Sequence, residues 1–289
     1  MRLLLIGASG VLGSRLYKDA INKKWTVLGT YCSHAHEGLS YLDLRDRESI
    51  EKIFKLSAPE AIVLAGGITN VDLCELRPGL AEDVNVKGTA YLVSKAKEKG
   101  TKLVFLSTDY VFDGKSGPYM EEDKPCPVNV YGRTKLEGER IVESRLKDYL
   151  IVRTAQLYGM DHNARNFAIK IIQRMRNNQE VYAADDFYCT PTYVTDLSDA
   201  VIKLLEDGKK GIFNVAGTDF IDRYEYVEKI ADIFGLKKSL IKKTKLKDLS
   251  LKAVRPQRAG LKVDKAVKEL DIRLSNCKHG LELLRKEAQ

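Results

Sequence analysis

Short β-branched or leucine-rich runs alternate with longer stretches of helical spacing over the first two thirds of the chain, a rhythm that few architectures tolerate. The runs are RLLLIG, TVLGTY, AIVLAGG, KLVFLST and YLIVRTA. Between them, SGVLGSRLYKDAINK, RDRESIEKIFKLS, RPGLAEDVNVKGTAYLVSKAKEKG and VNVYGRTKLEGERIVESRLK carry apolar residues three and four apart. Strand and helix in strict alternation predict an α/β fold, with a parallel sheet covered by helices on both faces. After about residue 159 the rhythm loosens. Helical stretches around 164–177, 195–206 and 223–234 are separated by polar loops, and GIFNVAG is one strand-like return. No repeat or low-complexity linker marks a boundary. The expected organisation is therefore a first domain over 1–158 and a smaller region over 159–289, interwoven with it.

Composition removes several function classes. With 289 residues, 44% hydrophobic and 30% charged, the chain can bury a sizeable core and is not expected to be disordered. No apolar stretch approaches the roughly 18 residues that span a bilayer, so no membrane partner is expected. The opening MRLLLI stops at GASG and reads as a first strand, not as a secretion signal. Five cysteines at 32, 74, 126, 189 and 277, with no CxxC pair and no histidine at zinc spacing, suggest free thiols, a cytoplasmic location and no metal. The net charge of +8 is uneven: residues 236–289 carry a balance of +10, leaving −2 for the rest. That basic end reads as a solvated face or as a rim attracting a phosphorylated substrate. Nucleic acid is not the expected partner, because no aromatic or glycine pattern of a binding module is interleaved with the lysines.

The sharpest local motif is Gly7-Ala-Ser9-Gly10-Val11-Leu12-Gly13, directly after the first apolar run and at the head of an amphipathic stretch. Glycine is needed there because the turn is tight and a diphosphate must approach the backbone, while the helix's unpaired amides receive its charge. The context is that of a Rossmann-like, doubly wound dinucleotide-binding sheet, although the spacing is GxxGxxG and not GxGxxG. An acidic residue gripping both ribose hydroxyls of NAD should follow the second strand. Gly29-Thr-Tyr-Cys-Ser33-His34 has none. With Ser33 and His34 as donors, NADP(H) is the expected cofactor and NAD(H) the alternative.

A further constellation joins Ser107-Thr108-Asp109, at the end of an apolar strand, to Tyr131-Gly-Arg-Thr-Lys135. The i, i+4 spacing sets Tyr131 and Lys135 on one helical face, about 6 Å apart at Cβ. Bringing a phenol from about 10 to near neutrality takes about 4 kcal/mol. A neighbouring ammonium, helped by a cationic nicotinamide ring when the cofactor is oxidised, is expected to supply it.

These elements together resemble the extended short-chain dehydrogenase/reductase family. STDYVFDG, PYMEEDKPCPVNVYGRTKLEGE, RTAQLYG and CTPTYVTDL resemble its dTDP-4-dehydrorhamnose reductase branch, from residue 1 to about 270. The resemblance implies hydride transfer from a nicotinamide to the C4 ketone of a nucleotide-linked 6-deoxyhexulose, in deoxysugar precursor synthesis. It implies that Thr108 holds the ketone oxygen, Tyr131 protonates it, and Lys135 binds the nicotinamide ribose and tunes the tyrosine. It further implies that Asp43 and Leu44 flank the adenine, and that Ala65, Gly66 and Gly67 line the ribose side. Asp109, Val111, Gln156, Asn166, Arg255 and Arg258 are the implied substrate residues, the arginines as diphosphate ligands. Relatives commonly form dimers, for which helices 78–99 and 128–145 are the candidate faces.

Two departures fall on the substrate side. Gln156 stands where the branch commonly has tryptophan, and Ala259 stands at the serine of its RPxxSxL pattern. The alternatives are a sugar-nucleotide epimerase or dehydratase, and a non-catalytic subunit such as the regulatory subunit of methionine adenosyltransferase, which resembles the same branch. A dehydratase usually follows Thr-Asp with Glu, where this chain has Tyr110; an epimerase holds NAD, for which the acidic residue is missing.

Overall fold

The computed structural model describes residues 1–160 and 166–289. Seven strands form one sheet: β1 (Arg2–Ile6), β2 (Thr26–Tyr31), β3 (Ser40–Tyr41), β4 (Ala61–Leu64), β5 (Lys102–Thr108), β6 (Tyr149–Thr154) and a late strand (Gly211–Asn214). The order across the sheet is β3, β2, β1, β4, β5, β6 and then Gly211–Asn214, with every neighbouring pair parallel. This is the Rossmann-like α/β sheet. Chain direction across it reverses between β1 and β4, which opens a crevice at the carboxyl ends of those strands.

Helices cover both faces. On one, α1 (Val11–Asn22) packs with the helix Val194–Glu206; on the other lie α2 (Arg47–Ser57), the helix Thr89–Lys99 and the helix Val130–Arg145. The strands are buried from both sides: Leu3, Leu4 and Leu5 of β1 are each at most 1% exposed. Alternate side chains feed two separate cores, which is why the strands read as continuous apolar runs.

The expected helix over 77–100 is interrupted. Pro78–Glu82 is α-helical, Asp83–Gly88 widens into a π-helical turn, and Thr89–Lys99 resumes the α-helix. Buried Asn85 sits in that turn. Its Oδ1 accepts from Ile68 N (2.9 Å), and its Nδ2 donates to Ile68 O (3.0 Å) and Thr134 Oγ1 (3.2 Å). It thereby ties the loop after β4 to the helix beginning at Val130. The expected helix over 164–177 is described from Phe167 to Arg176; positions 164 and 165 lie outside the described residues.

The chain beyond Thr154 builds a third core from Tyr158, Ile171, Ile172, Tyr226, Val227, Ile230, Leu281 and neighbours. Around it stand three two-stranded sheets: Leu157–Tyr158 with Thr192–Tyr193, Tyr188–Cys189 with Ile221–Asp222, and Val181–Ala184 with Ile241–Thr244. The third core's helices are Phe167–Arg176, Arg223–Phe234 and Cys277–Glu287. Among the described residues no helix is long and apolar enough to cross a membrane.

Candidate active site

A cavity of about 480 Å³ opens at the carboxyl ends of β1, β4, β5 and β6. Its first wall is the glycine turn. Gly7 adopts φ +85°, and a Cβ there would lie 2.7 Å from Gly66 Cα, so strand and loop touch backbone to backbone. A Cβ on Gly13 would lie 2.0 Å from Gly7 O. Gly10 differs: its backbone is ordinary (φ −85°) and its nearest obstacle would be Gly7 O at 3.2 Å. The first and last glycines hold the turn together, while the middle one keeps the approach to the α1 N-terminus open. No side chain caps that N-terminus, which leaves its amides facing the cavity. Ser9, Val11 and Leu12 line the same wall.

Cys32, Ser33 and His34 line the cavity at the end of β2, and Ser33 Oγ lies 3.0 Å from His34 Nδ1. Ala65, Gly66, Gly67 and Thr69 line it after β4. Asp43 and Leu44 do not. Asp43 is clasped by Arg45 (Nη2 to Oδ2 2.6 Å, Nε to Oδ1 3.0 Å), which holds its carboxyl below the usual range, and buried Leu44 packs against Gly88. Arg45 itself is half-exposed and close enough to act on the Cys32 thiol electrostatically. It is a guanidinium near the β2 end that lies too far along the chain for the motif reading to include it.

Thr108, Tyr131 and Lys135 all line the cavity, and all three are buried. Close helix–strand packing brings them together: a Cβ on Gly132 would lie 2.1 Å from Tyr110 O, and one on Gly138 would meet the Phe105 ring at 2.5 Å. Asn129 caps the helix, its Oδ1 accepting from Gly132 N at 2.8 Å. Thr108 Oγ1 accepts from Tyr110 N (3.2 Å) and donates to Asp109 Oδ1 (3.2 Å), beside the Tyr131 phenol. Burial drives Tyr131 above its ordinary value, and the neighbouring Thr108 hydroxyl opposes this without overcoming it. Burial also pulls Lys135 down to about 8, against the pull of Glu139, and its Nζ sits 4.0 Å from the centre of the Phe105 ring.

Beneath this trio runs a buried ionic knot that motif reading missed. Glu139, one turn beyond Lys135, accepts from Arg153 Nε (3.0 Å), Arg153 Nη2 (2.7 Å) and the Ser107 hydroxyl. It fixes the helix to β5 and β6 together.

At the far end of the cavity stand Thr154, Ala155, Gln156, Leu157 and Asn166. Asn166 is spent on the fold: its Oδ1 accepts from Ile169 N (3.2 Å) and its Nδ2 donates to Gly159 O (2.8 Å). Gln156 has φ +37°, a left-handed conformation unusual for its type. Its Oε1 accepts from Arg223 Nη2. Asp109 lies buried beneath Thr108, outside the lining, and burial pushes it up to about 7.

Val111 is fully buried among Phe112, Tyr119 and Leu136. Neither arginine of the 255–258 segment lines the cavity. Arg255 bonds Asp72 (3.0 Å) and Ala253 O (2.9 Å), and Arg258 lies over the rings of Tyr188 (4.3 Å) and Phe220 (5.3 Å). The lysine run is likewise engaged elsewhere: Lys242 pairs with Glu180, while Lys243 and Lys245 pair with Asp185.

Comparison with known proteins agrees with this geometry. The chain is 33% identical over 245 residues to methionine adenosyltransferase 2 subunit beta of Xenopus tropicalis, covering 82% of this chain and 73% of that one. It is 30% identical over 289 residues to the spore coat polysaccharide biosynthesis protein SpsK of Bacillus subtilis, covering 100% and 97%. Among solved structures, dTDP-4-dehydrorhamnose reductase from Bacillus anthracis, in complex with NADP, superposes with a TM-score of 0.90 at 27% identity, covering 99% of both chains. The RmlD substrate binding domain family matches residues 1–289, and the chain is therefore a member of that family, within the extended short-chain dehydrogenases/reductases.

Proposed function

We propose that the protein reduces the C4 ketone of a nucleotide-linked 6-deoxyhexulose at the expense of NADPH, working in the cytoplasm. The observation that carries this reading is the convergence of Thr108, Tyr131 and Lys135 on one cavity whose other wall is the glycine turn.

The cradle fits a dinucleotide: the uncapped α1 N-terminus, the open approach over Gly10 and the backbone contact of Gly7 with Gly66 leave room and amides for a diphosphate. Ser33 and His34 are donors suited to a ribose phosphate, and among the described residues that line the cavity there no carboxylate appears; NADP(H) is favoured over NAD(H) on this ground. When bound, the nicotinamide supplies the hydride.

The protein's own groups do the rest. Thr108 Oγ1 orients the ketone oxygen beside the Tyr131 phenol. Burial keeps that phenol protonated, which suits an acid that must give a proton to the oxygen as negative charge develops there. Lys135, an ammonium below about pH 8, holds the ribose and stabilises the phenolate left behind.

A second reading, a non-catalytic NADP-binding subunit, is favoured by the 33% identity to methionine adenosyltransferase 2 subunit beta. Incubating the protein with NADPH and a panel of 4-keto-6-deoxy nucleotide sugars separates the two. Consumption of reduced cofactor with at least one sugar is expected; binding of NADPH without turnover of any of them would favour the subunit.

A further inference from the structure

We infer that Arg223 and Gln156 act together as the sugar-reading device of the cavity: Arg223 locks the Gln156 carboxamide with its NH2 group towards the substrate, so that the site takes a sugar edge offering an acceptor oxygen. This rests on the cavity being a nucleotide-sugar site, and it says which face of the sugar that site selects.

The argument begins with donor chemistry. A guanidinium has only N–H donors, so the amide atom facing Arg223 must be the oxygen, and Arg223 Nη2 indeed donates to Gln156 Oε1. The amide nitrogen is then the end left for the cavity that Gln156 lines.

Both partners are held in place. Gln156 sits at φ +37° and its carbonyl accepts from Thr192 N at 3.2 Å. The flat Arg223 head lies between two rings, 4.6 Å from the centre of Phe167 and 4.8 Å from that of Phe187. Aromatic faces suit a planar guanidinium in a way they do not suit a lysine.

The charge behind the amide is only partly balanced. Arg223 Nε and Nη1 are buried with no hydrogen-bond partner among the described residues. Asp109, within electrostatic reach, is itself buried and pushed up to about 7. A cation bonded to the amide oxygen draws electron density from the NH2 and strengthens it as a donor, as in any hydrogen-bonded chain. A buried NH2 facing an apolar sugar face would be left unpaired, whereas one facing a hydroxyl or carbonyl oxygen is satisfied. The pair therefore selects an oxygen-bearing edge, the opposite of what an aromatic side chain at 156 would do.

Calorimetry in the presence of NADP, with dTDP-rhamnose and with dTDP as separate probes, tests this. Gln156→Met keeps much of the side chain's length and removes the donor, leaving a facing sugar oxygen without its partner. It should weaken dTDP-rhamnose binding about tenfold or more, equivalent to about 1.4 kcal/mol, and leave dTDP within about twofold. Arg223→Met, which frees the amide, should show a smaller loss of the same kind, partly restored in Arg223→Lys. Wild-type affinity for dTDP-rhamnose in either Gln156→Met or Arg223→Met would overturn the inference, as would an equal loss for dTDP. If the unmodified protein binds neither probe, the nucleotide-sugar reading fails and the inference with it.

Discussion

The two ends of the cavity are built from different materials. The glycine-turn end is backbone: glycines in contact, a helix start whose N-cap is glycine and a loop pinned by Asn85. The Gln156 end is side chain: Gln156, held by an arginine that comes from the helix beginning at Arg223. A wall of backbone accepts few substitutions, because Gly7 and Gly13 there face backbone atoms that cannot give way. A wall of side chains can change its chemistry one residue at a time. The difference teaches where to look for kinship and where to look for specificity.

The largest expected effect lies between the two ends. Tyr131→Phe should lower turnover of the keto-sugar by roughly 10² to 10⁴, while NADPH affinity, set by the backbone end, stays nearly unchanged in a fluorescence titration. A parallel fall in both would dissolve the distinction between the ends. Next comes the knot that joins the catalytic helix to the sheet. Glu139→Ala leaves Arg153 buried without its partner, and about 3–5 kcal/mol of stability should be lost in denaturant unfolding.

The glycine turn offers a sharper cut. Gly13→Ala, whose Cβ would lie 2.0 Å from Gly7 O, should cost about 1–3 kcal/mol of stability. Gly10→Ala should leave stability within about 1 kcal/mol and weaken NADPH binding about tenfold. Equal behaviour of the two variants would mean that the turn serves the fold alone.

The smallest effect is a pH dependence at Asp109, beneath Thr108. Asp109 has an ordinary value of 3.8 and is raised to about 7 in the folded protein. Between those values the folded state keeps a proton that the unfolded chain releases, so this group's contribution to stability is present below 3.8 and lost as pH rises through about 7. Asp109→Asn should therefore lose less Tm than the unmodified protein between about pH 5 and pH 8, by about 4 °C or less. The measurement is a pair of melting curves. A wider gap for Asp109→Asn would reverse the sign argued here.

Much of the backbone end was legible in the sequence, because its signals are local. Strands β1, β2, β4, β5 and β6 lie within the apolar runs, and the glycine turn sits between a run and a helical stretch. Tyr131 and Lys135 share a face because four residues make about one helical turn. The π-helical turn at Asp83–Gly88 was not legible: it forms where Gly88 packs against Leu44, a contact between distant positions. The burial that drives the Tyr131 phenol above its ordinary value was not legible for a similar reason, since it comes from neighbours distant in the chain and not from spacing along one helix. Arg223 carries no motif at all. It becomes visible only when the chain returns after the sheet to set it behind Gln156, between rings contributed by two other segments.

The parallel pairing of Gly211–Asn214 with β6 has a consequence for how the chain must be made. On a ribosome, β6 emerges long before its outer neighbour, and during that interval its hydrogen-bonding edge is open to any extended strand nearby. A nascent chain stalled after Tyr158 would carry a nearly finished glycine-turn wall together with an adhesive border. The stretch that supplies the Gln156 end is also the stretch that delivers Gly211–Asn214, so translation through it both covers the β6 edge and completes the cavity.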